Sequence, residues 1–162
     1  MPNKILQITP TKTKGFTLLE VMIAMVIFSI GLLGLAGLMA QSTSYNNSAQ
    51  FRTQATFLAY DMLDRMRANP SEAANPTLRY NVNFGTTPND PPATCFATTC
   101  SLTQLATADK EQWLTSVQAL LPNGDGKVTH DISSGTTTIF IIEIRWDDPV
   151  GGTTSFFLRS EL

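Results

Sequence analysis

The longest apolar run in the chain covers residues 21–40, where every position is apolar or glycine except Ser29. At a helical rise of about 1.5 Å per residue, twenty such residues reach about 30 Å, the thickness of a bilayer core. The pattern predicts a membrane-spanning helix. Beyond it the pattern changes rather than stops. Phe51, Ala55, Leu58, Met62 and Met66 recur at spacings of four, three, four and four, while Arg52, Asp61, Asp64 and Arg67 mark the opposite side. That is an amphipathic continuation of the same helix, its aromatic and methionine stripe reading as core rather than ligand site. Asn69-Pro70 is expected to end it, because the residue before proline is pushed out of the α region and the ring blocks continuation. One helix over residues 16–68 would be about 80 Å long.

The next stretch differs in kind. Pro70, Pro76, Pro88, Pro91 and Pro92, with Gly85 among them, predict loop over residues 69–100, relieved by a short strand at 79–84. Residues 102–121 read as one or two helices, with Thr107 the candidate N-cap and Leu114, Val117, Leu120 and Leu121 an apolar stripe beside Trp113. Pro122-Asn123-Gly124-Asp125-Gly126 reads as a turn. Its Asn-Gly and Asp-Gly pairs resemble half of a calcium loop, but the spaced acidic ligands and distal glutamate are missing.

Residues 127–132, 136–146 and 154–161 are rich in Thr, Ile, Val and Phe and predict a three-stranded antiparallel meander. In the middle strand Phe140, Ile142, Ile144 and Trp146 share one face, which should pack on the long helix. Ile139, Ile141, Glu143 and Arg145 share the other, with Glu143 and Arg145 expected to meet Arg159 and Glu161 across the hairpin. The fold class is α+β: a long N-terminal helix, membrane half plus amphipathic half, packed against a small antiparallel sheet.

With 162 residues there is room for about one ordinary domain, which excludes a multidomain enzyme. Eleven basic residues against thirteen acidic give a net charge of −2, so nucleic acid is not an expected partner. Lys4, Lys12 and Lys14 precede the apolar run with no acidic residue before Glu20. The positive-inside rule then keeps the N-terminus in the cytoplasm and sends the rest outward. An exported location favours a disulfide between Cys95 and Cys100, closing a small loop. Two cysteines and the single His130 are too few ligands for a metal site. His130 lies beside Asp131 in an edge strand, with no motif bringing a nucleophile to it and no phosphate-cradling loop anywhere, so neither enzyme activity nor a cofactor is expected. Asn46-Asn47-Ser48 matches a glycosylation sequon by chance.

The N-terminus admits three readings. A secretory signal would use the lysines as its basic region and cleave near Gly34-Leu35-Ala36. A plain uncleaved anchor explains length and charge but not Glu20, a carboxylate at the threshold of an unbroken apolar run that is costly in lipid without a partner. The third reading rests on Lys14-Gly15-Phe16-Thr17-Leu18-Leu19-Glu20-Val21-Met22-Ile23, which resembles the class III signal of type IV prepilins. The resemblance implies cleavage by prepilin peptidase between Gly15 and Phe16, N-methylation of Phe16, and retention of the apolar run. Gly15 has no Cβ and lets backbone enter a protease cleft. The resemblance also makes Glu20 the assembly residue, pairing with the amine of Phe16 on a neighbouring subunit and so fixing axial register. Gly31, Gly34 and Gly37 fall at three-residue spacing and would serve close helix packing, although glycine is also simply common in membrane helices. Taking the three lysines of residues 1–15 from eleven leaves eight basic groups against thirteen acidic, a distinctly acidic mature chain.

The resemblance extends further along the chain. The run from Gly31 to Leu38, then residues 54–70, Trp113, Leu121-Pro122 and Ile144-Arg145-Trp146-Asp147-Asp148 are similar to the type IV pilus modification proteins, the V-type minor pilins, with residues 61–70 the most discriminating piece. What this implies is a minor pilin at or near the tip of a bacterial type IV pilus, priming assembly and supporting twitching motility, adhesion and display of a tip adhesin. Its partners would be the major pilin and other minor pilins through the N-terminal helix, prepilin peptidase, and the inner membrane before assembly. Asp61, Asp64, Arg65 and Arg67 read as a solvated helix face rather than a partner contact. The implied organisation is a leader at 1–15, an assembly helix at 16–40, its amphipathic continuation at 41–69, a proline-rich region with the cysteine pair at 70–101, and a helix plus sheet at 102–162. The rival readings are a type II secretion pseudopilin, sharing leader, Phe16 and Glu20, and a membrane-anchored periplasmic binding protein with an intact N-terminus. A DNA-uptake receptor would need a basic patch that the acidic mature chain does not supply.

Overall fold

The computed structural model describes residues 15–75, 77, 79–90, 95, 99–131 and 139–162. The leader lysines, Pro76, Pro91, Pro92 and the predicted strand ends at Ile132 and Thr136 lie outside the described residues. Helix α1 spans Leu18–Ala68, and the chain forms two compact units, one up to Gln41 and one from Ser42 onward. In the first unit every described side chain is exposed.

The second unit holds the remainder of α1, then α2 (Pro70–Ala73), α3 (Leu102–Leu120), β1 (Asp125–Asp131), β2 (Ile139–Asp148) and β3 (Gly152–Glu161). The strands form one antiparallel sheet in the order β1-β2-β3. The sheet is the meander that the alternation predicts, with β1 starting at Asp125 inside the expected turn. The core joins Ala55, Leu58, Met62 and Met66 of α1 with Trp113, Leu114 and Val117 of α3 and Phe140, Ile142, Ile144 and Trp146 of β2. The face of β2 assigned to the interior is the buried one.

Asn69-Pro70 ends α1 as expected, but the proline then opens the short α2 instead of beginning a loop. Proline suits a first helical position, where its missing N–H would have no partner anyway. Four local expectations need correction. The strand anticipated at 79–84 reduces to a single bridge between Val82 and Val128. Helix α3 is one helix capped by Ser101, whose hydroxyl accepts from Gln104 N while the Gln104 side chain accepts from Ser101 N. Thr107 instead donates to the Thr103 carbonyl within the helix, 3.1 Å. Leu120 is exposed while Leu121, just past the helix, is buried. Across the β2–β3 hairpin Glu143 faces Phe157 and Arg145 faces Ser155, and Arg145 pairs with Asp125 on β1 at 2.9 Å. The register is set by the tight turn that places Asp148 opposite Gly152, whose positive φ of 68° suits glycine.

Trp113 is fully buried, and its indole N–H donates to the Leu58 carbonyl of α1 at 2.8 Å. Its ring lies so close over Gly126 of β1 that a Cβ there would collide with it. Gly126 is therefore a packing glycine at the start of a strand, which the turn-like sequence around it conceals.

Candidate functional site

Gly15 and Phe16 precede the first turn of α1 and are exposed, Phe16 by 83%. Thr17 caps the helix: its hydroxyl accepts from Glu20 N at 3.3 Å, and its carbonyl accepts from Glu20 N and Val21 N. The Thr17 cap with glutamate three residues on was missed in the sequence, although a threonine or serine followed by x-x-Glu is a recognisable helix start. Phe16, Glu20, Val21, Ala24, Met25 and Phe28 line one side of the helix. Glu20 sits at the positive end of the helix dipole, with the small Ala24 one turn on along the same side.

From Val21 to Ala40 the first unit is apolar or glycine at every position but Ser29. Its helix is long and apolar enough to cross a membrane, and none of the spanning window is buried by the rest of the chain. Ser29 does not interrupt this surface, because its hydroxyl donates to the Met25 carbonyl at 2.7 Å. A Cβ at Gly31, Gly34 or Gly37 would meet nothing within 4 Å, so no contact inside the chain requires these glycines.

In the second unit Cys95 and Cys100 are joined by a disulfide just ahead of the Ser101 cap, with Cα atoms 4.9 Å apart. Two polar clusters lie in this unit. In the first, Arg65 donates to Asp61 at 2.9 Å, to Asp109 at 3.3 Å and to Gln112 at 2.8 Å, while Tyr80 donates to the other oxygen of Asp109 at 2.7 Å. Asn69, one turn past Arg65, donates to the Leu102 carbonyl at 2.8 Å. The expected solvated face is thus half structural. Arg65, held by Asp61, and Asn69 just past the end of α1 tie that end of the helix to α3, and only Asp64 and Arg67 form an exposed pair. Burial, and then the hydrogen bond to Asp109, push the Tyr80 phenol above its ordinary range, so it stays a donor. Tyr80→Phe is expected to cost about 1.5–3 kcal/mol by taking a hydrogen bond from a buried carboxylate. The urea midpoint of the full chain checks this, and an unchanged midpoint would show Arg65 alone sufficient.

In the second cluster the buried Asp148 accepts from Ser48 at 2.6 Å and from the backbone N–H groups of Val150 and Gly151, with Arg52 3.7 Å away. It ties the β2–β3 turn to α1, and it makes Ser48, the last residue of the sequon match, a buried structural contact. The Ser48 hydroxyl, then the Val150 N–H, hold its carboxyl below the usual range. Because the folded value lies below the unfolded one of about 3.9, the contribution is fully present above that value and is lost as pH falls through the folded one. Asp148→Asn is accordingly expected to melt earlier than wild type at neutral pH, by an amount that shrinks below about pH 4. Thermal scans from neutral to strongly acidic pH check it; a difference that does not shrink in acid would mean the carboxylate's charge contributes nothing.

His130 shares a hydrogen bond of 3.0 Å with Asn81 and stands against Phe140. Among the described residues no group of three or more His, Cys, Asp or Glu side chains could hold a metal ion.

The prokaryotic N-terminal methylation motif matches residues 10–36, a span that contains Gly15, Phe16, Glu20 and the apolar face just described. The family described as type IV pilin Tt1218 matches residues 38–111, reaching from the amphipathic part of α1 into α3. This chain is a pilin of the type IV prepilin family. No curated protein and no solved structure matches it significantly. As a pilin it belongs to a structural family whose members associate with other pilins and are substrates of prepilin peptidase. A long α1 on a three-stranded antiparallel sheet is the type IV pilin fold, and the first unit fits a membrane-anchored precursor of a filament subunit.

Proposed function

We propose that the chain is a minor pilin of a type IV pilus, processed by prepilin peptidase between Gly15 and Phe16 and incorporated at or near the filament tip. The observation that carries this reading is the first unit itself, an apolar helix with every described side chain exposed and one carboxylate, Glu20, at its start. Such a surface needs lipid before assembly and apolar protein afterwards. In this reading residues 1–15 are a cytoplasmic leader and 16–40 the assembly helix, with the remainder extracytoplasmic. Cleavage leaves an amine on Phe16 for methylation and Glu20 available to a neighbour's amine. The exposed Gly31, Gly34 and Gly37 let neighbouring helices approach closely. The neighbours are the major pilin and other minor pilins, and a tip adhesin is the cargo. Support for a minor subunit comes from the similarity of residues 61–70 to V-type minor pilins, a stretch in which Arg65 and Asn69 bond to α3. Priming of assembly and support of twitching follow from that similarity.

The test is mass spectrometry on pili sheared from the cell surface. A minor pilin gives a peptide beginning at N-methylated Phe16 at low abundance relative to the major subunit. Methyl-Phe16 confined to the envelope, with secretion lost on deletion, would make the chain a type II pseudopilin. An intact N-terminus would overturn processing altogether.

A further inference from the structure

The turn between α3 and β1 holds the one Asn-Gly pair of the sequence, Asn123-Gly124. Its geometry asks for that pair. Asn123 has a positive φ of 49°, a conformation that asparagine tolerates better than most residues. Gly124 is buried against the end of α3, where a Cβ would collide with the Val117 carbonyl. An Asn-Gly pair is also prone to cyclise, because glycine has no side chain to shield its backbone nitrogen from the asparagine amide carbon. In the fold the two reacting groups are held by different elements. The Gly124 N–H donates to the Leu121 carbonyl just past α3, at 3.0 Å. The Asn123 side-chain nitrogen donates to Asp147 Oδ2 of β2 at 2.7 Å, and the Thr153 hydroxyl donates to the other oxygen at 3.0 Å. Asp147 N in turn donates to the Pro122 carbonyl at 2.9 Å, so the turn is tied to β2 through backbone as well. The Asn123 amide, then the Thr153 hydroxyl, hold the Asp147 carboxyl below its usual range, so a carboxylate faces that amide.

We propose that Asn123 is a deamidation site that the fold keeps closed, so that a chain left unfolded is marked there and cannot rebuild the turn. In the reaction the Gly124 nitrogen gives up its proton to solvent and attacks Asn123 Cγ. The new C–N bond closes a succinimide ring, the bond from Cγ to Nδ2 breaks, and Nδ2 takes a proton and leaves as ammonia. Water then opens the ring to aspartate or isoaspartate. Water is consumed and ammonia released, and nothing is oxidised or reduced. In the folded chain the nucleophile is bonded to one side of the turn and its target to the other, and the burial of Gly124 leaves its peptide no room to swing toward Cγ. Reaction therefore waits for the turn to open. In the unfolded chain neither restraint exists. Either product defeats the turn. Aspartate puts a second carboxylate where Asn123 donates to Asp147, replacing a hydrogen bond with repulsion at contact distance. Isoaspartate routes the main chain through the side chain and lengthens it between Pro122 and Gly124, whose backbone groups are already committed to β2 and to Leu121. Unfolding of the second unit thus becomes irreversible in proportion to the time spent unfolded.

The test is peptide mass spectrometry of the full chain in detergent, incubated in mildly alkaline buffer with and without enough guanidinium chloride to unfold the second unit. Electron-based fragmentation distinguishes isoaspartate from aspartate. The peptide spanning Asn123 should convert at least about tenfold more slowly in the folded chain, the ratio being set by how rarely the turn opens. Asp147→Ala, at an exposed position, should fold and narrow that ratio by releasing the side-chain nitrogen. On dilution of the denaturant, the fraction of wild-type chain that refolds should fall in step with conversion, and the chains left unfolded should be those carrying the modified residue. Asn123→Gly suits the positive φ and has no amide to lose, so its refolding yield should not decline with time. Equal conversion in the folded and unfolded chain would overturn the closed site, and an unchanged ratio in Asp147→Ala would overturn Asp147 as its restraint. Modified chains that refold as completely as unmodified ones would overturn the mark.

Discussion

Trp113→Ala is expected to lower the unfolding free energy of the second unit by about 3–5 kcal/mol, the usual cost of emptying a buried tryptophan site. Three partners lose at once. The indole fills the space between α3 and α1, its N–H is bonded to the Leu58 carbonyl, and its ring lies against Gly126, which has no side chain with which to fill the vacancy. Domains of this size hold about 5–15 kcal/mol in all, so the variant should be partly unfolded at physiological temperature. Urea unfolding followed through Trp146, the other tryptophan of the chain and fully buried in the same core, reads the loss directly. Trp113→Phe should cost distinctly less, because most of the ring volume remains. A Trp113→Ala loss below about 1 kcal/mol would mean that α3 is held to α1 by the Arg65–Asp109–Tyr80 cluster and not by this ring.

The second large effect is on assembly. Glu20→Gln should be cleaved and methylated at Phe16 like the wild type, yet fall on the order of a hundredfold in sheared pili. Glutamine keeps the size and polarity of the side chain and removes only its charge. The neighbour's terminal amine would then be buried without a counter-charge, and breaking such a pair costs about 3–5 kcal/mol. Glu20 already stands exposed on an apolar face without an ion-pair partner among the described residues, so the loss falls on the filament and not on the fold of the monomer. Immunoblots of sheared pili and of membranes separate the two steps. Equal incorporation of the variant would remove Glu20 from the assembly mechanism, while loss of methyl-Phe16 would place its role in processing.

The residues that locate the candidate site were readable without coordinates because they work locally. An unbroken apolar run needs no tertiary context to be recognised, and neither does a glycine, phenylalanine and glutamate ahead of it. The Thr17 cap was equally local, and its threonine and glutamate were visible. What stayed hidden depends on residues far apart. Arg65 and Asp109 are forty-four positions apart and Ser48 and Asp148 a hundred. Asp61 and Arg65 taken alone look like any exposed helical pair, and only the arrival of α3 turns them into a staple. The Ser101 cap was overlooked for Thr107 because both residues precede plausible helical turns, and which one opens the helix was settled by the reciprocal bond with Gln104.

From sequence alone came the apolar helix, its amphipathic continuation, the stop at Asn69-Pro70, the three strands and the buried face of β2, since each follows from periodicity or backbone sterics within one segment. The prepilin signal belongs with them, because a peptidase reads a linear motif. Tertiary structure decided the hairpin register, which turns Arg145 toward Asp125 and away from Glu161, and the roles of Gly126, Tyr80 and Asp148. These depend on which surfaces meet once the chain closes on itself, and no local pattern of hydrophobic and polar residues encodes the partner across a gap of dozens of residues.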